Sequence, residues 1–342
     1  MPLIRDEGRA LATIETIASI RAIEGADAIE AAQVRGWTVV AKKGEFAVGD
    51  LVVFFEIDTA LPLDDERFAF LAPRSSKEID GRPYHVLKTA RLRGVYSQGL
   101  VLPVTDFGIH GAVGRFIGFD LTEDLNLYKW EPPLPIGGRG QTAGPFPEKY
   151  AQKTDSARAQ NLTPLWPTLM NYAWEATEKV DGTSCTILRD ETGQLRVCGR
   201  NWEISDDDNL YWNAVRRSGI DLDALEPGDV VQAEIVGPGI QANRLGLSDV
   251  RLVVFTVARN KLPLPRTLWP ARALELAAPI YDLTLPGTAE EAIDQVDGLK
   301  SLVAPGRLAE GVVWHTVDGT VVPELGRNTF KAISNKYLTK EK

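Results

Sequence analysis

Residues 131–147 read EPPLPIGGRGQTAGPFP, nine prolines and glycines in seventeen positions. Proline removes a backbone donor and fixes φ, while glycine adds chain entropy, so the stretch reads as a linker. A chain interrupted in this way folds as two bodies. The expected division is an N-terminal domain over 1–130, a linker over 131–160 and a C-terminal domain over 161–342. The length of 342 residues agrees, at roughly 150 residues per domain. Inside the linker, Gly138-Arg139-Gly140-Gln141-Thr142-Ala143 matches the dinucleotide pattern G-x-G-x-x-A by letter. That pattern needs a strand before it and a helix opening within it, and here proline flanks both sides.

The first domain reads as short strands. Ala12, Ile14, Thr16, Ala18 and Ile20 alternate with mostly polar neighbours, although Ile14, Ile17, Ile20 and Ile23 also fit a helical stripe. Gly36–Ala41 and Leu51–Ile57 are clearer strands, separated by the turn-rich KKGEFAVGD. Such spacing predicts a small β-barrel. In the second domain, Thr183–Leu188 and Gln194–Gly199 flank a hairpin turn, and Val230–Val236, Leu252–Val257 and Gly311–His315 are further strands. Helices are expected after Ser205 and Thr288; Thr288 with Glu291 has capping-box spacing. Strands without regular βαβ alternation predict an α+β fold of antiparallel sheets with packed helices.

Composition excludes several classes. No apolar run approaches the ~18–20 residues of a membrane span, and charges interrupt the N-terminus where a signal peptide would be apolar. The expectation is a cytoplasmic protein without a membrane partner. Two cysteines, Cys185 and Cys198, cannot build a disulfide framework or a four-thiolate zinc site. Their symmetry about the hairpin turn suggests a reduced pair facing across it. His85, His110 and His315 have no ligand spacing. The net charge is −9, with 15 Lys+Arg against 19 Asp+Glu in 1–130 and 23 against 28 thereafter. Any phosphate-binding surface must therefore be a local cluster. Lys88, Arg91 and Arg93 form the dense one in the first domain.

The stretch that carries chemistry is Glu178-Lys179-Val180-Asp181-Gly182-Thr183-Ser184. Lys-x-Asp-Gly alone arises by chance in about one chain in ten of this length, and Asp-Gly is also an ordinary turn. The order of the elements downstream makes the pattern specific. Arg200-Asn201-Trp202 ends the second hairpin strand; Glu234 interrupts the apolar Val231–Val236; Glu310 precedes Gly311-Val312-Val313-Trp314; Lys331 and Lys336 lie in Phe330–Tyr337. A carboxylate in an apolar strand requires a cation, a metal or a ligand hydroxyl.

In this order the elements resemble the covalent nucleotidyltransferases. The closest resemblance is to the ATP-dependent RNA ligases typified by the Deinococcus and Naegleria enzymes. Lys153-Thr154-Asp155-x-x-Arg158-x-Gln160-Asn161 and Leu87-Lys88-Thr89-Ala90-Arg91-Leu92-Arg93-Gly94 also look like that group. The resemblance implies an oligonucleotide-binding (OB) barrel followed by an adenylyltransferase domain. It implies ATP and Mg2+ or Mn2+ as cofactors, and a monomer acting on RNA or an RNA-containing duplex with 3′-hydroxyl and 5′-phosphate ends, in RNA repair. Lys179 would be the nucleophile. Glu178 and Ser184 would flank the nucleotide, Arg200 and Glu234 its ribose and phosphates, and Phe255 would stack on adenine. Glu234 and Glu310 would hold metal waters, and Lys331 and Lys336 would grip phosphate. Related enzymes often carry two lysines two apart in the last element, whereas Ile333 follows Lys331-Ala332 here. A DNA ligase, a guanylyltransferase or a non-catalytic RNA-binding protein remain alternatives.

Physics asks for these residue types. A free lysine is neutral only about 0.04% of the time at pH 7. Its amine should therefore be depressed by burial or neighbouring positive charge.

Overall fold

The computed structural model describes residues 3–4, 9–110, 116–130 and 141–340. The chain forms two compact units, 1–133 and 134–342. No helix among the described residues is long and apolar enough to cross a membrane.

The first unit is antiparallel β. Leu51–Phe55 pairs with Ala12–Thr16 on one side and Leu100–Pro103 on the other. Ser19–Ala22, Ile29–Val34 and Trp37–Lys42 form a meander. The periodicity of 12–20 thus belongs to two strands rather than a helix. Phe55 packs edge-on to Phe68 at 5.3 Å, and Trp37 lies 5.9 Å from Phe54; all four rings are buried. These aromatics are core: alternation sends Phe54 and Phe55 to opposite faces of one strand, and both faces are buried.

The second unit has two sheets. The larger runs in the order 142–145, 202–204, 195–198, 183–189, 229–236, 251–259, 262–263; the smaller runs 157–158, 329–333, 311–316, 174–179, 280–281. The helix Leu210–Ser218 packs on the larger sheet through Trp212 and Val215. Ala289–Val296 covers the smaller through Ile293 and Val296. This is the α+β architecture expected.

Three details differ from the sequence reading. Residues 131–140 lie outside the described residues, but the rest of the expected linker is built into the second unit. Thr142–Pro145 pairs with Trp202–Ile204, and Ala157–Arg158 pairs with Phe330–Lys331. Proline and glycine are tolerated at 144–145 because that strand is an edge. The helix after Ser205 is capped by Asn209, whose side-chain oxygen accepts from the Tyr211 and Trp212 amides. Thr288 does cap its helix, accepting from the Glu291 amide. Finally, Cys198 stands opposite Thr186, not Cys185. Side-chain parity therefore puts the two thiols on opposite faces of the hairpin. Burial raises both thiols well above the usual range.

Candidate active site

Lys179 ends a strand of the smaller sheet and Thr183 opens a strand of the larger one. Val180-Asp181-Gly182 carries the chain between them. The crossing is tight: a Cβ on Gly182 would lie 2.3 Å from the Ile235 carbonyl oxygen and 2.8 Å from Glu234 Cγ. Only glycine lets the turn come this near the Asp229–Val236 strand, and that approach sets Glu234 beside Lys179. Gly182→Ala is expected to lower the self-adenylylation that the resemblance implies by about 10²-fold, the usual cost of a displacement near 1 Å. Single-turnover labelling on protein shown by circular dichroism to be folded checks this; a rate within threefold of wild type would contradict it.

Lys179 Nζ donates to Glu310 Oε2 at 2.7 Å. Glu310 is held there by Gly311, whose backbone pairs with Lys179 on one side and Ile333 on the other. Gly311 has φ +155, and a Cβ would fall 2.1 Å from the Ala332 carbonyl oxygen. Glu234, from the other sheet, stands opposite Ser184, whose hydroxyl meets that of Thr154 at 3.0 Å. Two carboxylates from two sheets thus converge on one partly buried amine.

The electrostatics differ from the expectation of a depressed lysine. Burial pulls the Lys179 amine down, but Glu310, Glu234 and Asp181 together outweigh it, and the net shift is upward. Burial likewise pushes the Glu234 carboxyl up to about 8; Lys179 opposes the shift, while Glu310 and Asp181 reinforce it. The bare site is thus short of positive charge. Among the described residues no group of three or more His, Cys, Asp or Glu converges on one point. Glu234 and Glu310 suit a divalent ion that keeps most of its waters and takes phosphate oxygens, rather than an all-protein cage.

Phe255 is the extra residue of a β-bulge: Gln232 pairs with Thr256, and Ala233 with Val254. The bulge leaves its partly exposed ring on the apolar cluster of Val180, Val236, Val253 and Ala278, directly below the crossing turn. Lys331 pairs in register with Val313, which pairs with Thr177. By strand parity Thr177 and Lys179 share a face, so Lys331 lies on the nucleophile's face, two strands and about 10 Å across.

Other assignments change. Glu178 points to the opposite face from Lys179, and its carboxylate accepts from Ser301 Oγ, the Leu302 and Val303 amides and Tyr281 OH. It is fully engaged by protein and is not free to flank a nucleotide. Lys336 lies over Gly298, its Nζ 3.0 Å from the position of a glycine Cβ, while its amide donates to Asp297. Ile333 is buried and apolar, so that position offers no second cation. Arg200 pairs with Asp155 at 2.6 Å.

Two contacts escape the sequence reading. Tyr337 OH donates to Asp181 Oδ2 at 2.6 Å, and Arg244 covers the Tyr337 ring at 4.4 Å. Asp181 and Tyr337 both lie inside the motifs that mark the site; their separation of 156 residues hides the pairing. His315, buried against Thr177, is driven down to about 3 by burial and then by Arg266, so it is neutral and structural.

In the first unit, Ala90–Leu92 and Val95–Ser97 form a hairpin whose two turn residues, Arg93 and Gly94, both have positive φ. Lys88, Arg91 and Arg93 are exposed; Lys88 Nζ lies 5.6 Å from the Trp130 ring, and Arg91 lies 5.5 Å from that of Tyr96.

Comparison with known proteins bears on this arrangement. A family profile described as RNA ligase matches residues 173–333, and one described as an OB-fold domain matches residues 11–104. Among solved structures, a Naegleria gruberi RNA ligase mutant with ATP and Mn is 36% identical, with a TM-score of 0.87, over 97% of this chain and 99% of that one. A mutant of the same ligase with AMP and Mn is 36% identical with a TM-score of 0.86, again over 97% and 99%. The same ligase with PPi is 37% identical with a TM-score of 0.86, over 97% and 99%. No curated protein sequence matches the chain.

Proposed function

The chain belongs to the RNA ligase family, and on that premise we propose that it is an ATP-dependent RNA ligase working through a lysyl-AMP intermediate. The observation that carries this reading is the Lys179–Glu310 pair, 2.7 Å long, with Glu234 brought beside it by the Lys-Val-Asp-Gly crossing. The related Naegleria structures hold ATP with Mn, AMP with Mn, and PPi. Those ligands are the substrate and products of a lysine adenylylation.

Lys179 Nζ loses a proton and attacks the α-phosphorus of ATP. The N–P bond forms as the bond to the bridging oxygen breaks, and pyrophosphate leaves. Glu310 is the first acceptor within hydrogen-bond reach of the amine. Glu234 and Glu310 would hold a divalent cation, which would supply positive charge between the two carboxylates and the phosphates. Phe255 offers its ring to adenine, Ser184 flanks the nucleotide, and Lys331 and Arg200 meet phosphate charge. AMP then passes to a 5′-phosphate. Attack by a 3′-hydroxyl forms the phosphodiester and expels AMP. Lys88, Arg91 and Arg93 in the first unit contribute contacts to the RNA, and the natural substrates are breaks in duplexes.

Sealing of duplexes with one nick, carrying RNA or DNA on either side, tests the reading against single-stranded ends. Rapid joining is expected at nicks with RNA on the 3′-hydroxyl side. Joining of DNA ends alone, or of single-stranded ends only, would contradict the substrate assignment.

A further inference from the structure

Resting on that reading, we infer that Glu178 is a positioning residue: its carboxylate ties loop 300–304 to the nucleophile strand and so builds the wall of the ATP pocket. Four donors converge on it from a loop more than 120 residues away and from the neighbouring strand. Ser301 Oγ donates at 2.5 Å, the Leu302 amide at 2.6 Å, the Val303 amide at 3.1 Å and Tyr281 OH at 3.2 Å. The group is 2% exposed. Among the described residues these four neutral donors, rather than a cation, meet its charge. A buried carboxylate is retained at such a cost only if the donors it gathers need gathering.

What they gather is specific. Ser301 Oγ also accepts from the Ala304 amide at 2.9 Å, closing the loop into a turn. The single Tyr281 hydroxyl proton is shared between Glu178 and the Lys300 carbonyl, which is the nearer at 2.8 Å, so the ring also meets the loop's other end. Tyr281 lies in the short strand Ile280–Tyr281 paired to Ala176–Thr177. The clamped residues Val303 and Ala304 then pack with Val180, Val253 and Phe255 in the apolar cluster below the crossing turn. Without the clamp, that wall of the pocket loses its polar tie to the Lys179 strand and keeps its backbone bonds and its apolar packing. Lys179 itself stays fixed by its strand and by Glu310. The consequence falls on nucleotide binding and leaves phosphoryl transfer intact.

Glu178→Ala and Glu178→Gln separate this role from a direct one. Glutamine keeps an oxygen for Leu302, Val303 and Tyr281, and its amide can donate to Ser301 Oγ, so the clamp survives without the charge. The expected result in self-adenylylation is a KM for ATP raised about 30-fold in Glu178→Ala and within about threefold of wild type in Glu178→Gln. The rate at saturating ATP should change less than about threefold in both. Equal damage from Gln and Ala would mean that the charge touches nucleotide or metal, and would overturn the inference. So would a fall in the saturated rate at unchanged KM, or no change at all in a folded Glu178→Ala. If Glu178→Ala does not fold, Ser301→Ala and Tyr281→Phe, which loosen the clamp and keep Glu178, should each raise KM by about 3- to 10-fold, and an unchanged KM in both would overturn it. Absence of any adduct on the wild-type protein would instead refute the ligase reading.

Discussion

Lys179→Ala is expected to abolish ATP-dependent sealing, by at least about 10³-fold, while the variant still joins a strand that already carries a 5′ adenylate. Among the described residues Lys179 is the lysine that stands at the crossing between the sheets. Lys331 lies about 12 Å away, two strands across and two residues along, and Lys336 is turned toward Gly298. Neither can substitute without rebuilding a strand. On the proposed mechanism, joining a pre-adenylylated strand bypasses the lost amine and would still use Glu234, Glu310 and Lys331. Gel assays with triphosphate-dependent and pre-adenylylated substrates read the two steps apart. Sealing of the first substrate by the variant would show that another residue carries AMP; loss of both would show that Lys179 also supports the site's structure.

Glu234→Ala is expected to slow self-adenylylation by about 10²-fold, a typical loss for one preorganised charge contact. Glu234→Gln should be nearly as slow, since the shape is kept and the charge is not. The same substitution should have an opposite effect on stability. A carboxyl whose folded pKa is raised above its unfolded value loses stability for the protein as pH climbs between those two values. Glu234 is pushed up to about 8, chiefly by burial, from an ordinary value of 4.5. The window of loss therefore runs upward from the ordinary carboxyl range to about pH 8. Glu234→Gln removes it. Its unfolding free energy relative to wild type should be higher at pH 8 than at pH 5, by on the order of 1–3 kcal/mol. Denaturant titrations at the two pH values measure this, and a gain at pH 5 that vanishes at pH 8 would reverse the sign and contradict the burial argument. A site that is slower when stabilised is one where binding capacity is held at the expense of folding.

The residues that make this site are legible in the sequence to different degrees, for physical reasons. Lys179, Glu234 and Glu310 can be read because each breaks a local rule: a charge at the end or in the middle of an apolar strand requires a partner. Gly182 and Gly311 stand in plain view, but the contacts that exclude a Cβ involve Ile235 and Ala332, far along the chain. Glu178 invites a nucleotide role because it adjoins Lys179. Strand alternation sends neighbouring side chains to opposite faces, so adjacency in sequence argues the wrong way. The cysteines fail to face each other by a single step of register, which is enough to change faces. Proline and glycine at 142–145 suggest a connector, yet an edge strand tolerates both. Local patterns determine element types where hairpins link neighbours, as in the meander 19–42 of the first unit. Partnerships such as Asp181 with Tyr337 or Arg200 with Asp155 arise only once the two sheets are assembled.

The proposed ligation requires the Lys179 amine to become bonded to AMP. Incubating the wild-type protein with ATP and Mn2+, digesting it and sequencing the AMP-bearing peptide by mass spectrometry tests that most directly. The expected adduct is on Lys179 alone, acid-labile as a phosphoramidate is, and removed by added pyrophosphate with regeneration of ATP. An adduct on a different residue, or an intact protein without any adduct under conditions where it seals RNA, would contradict it.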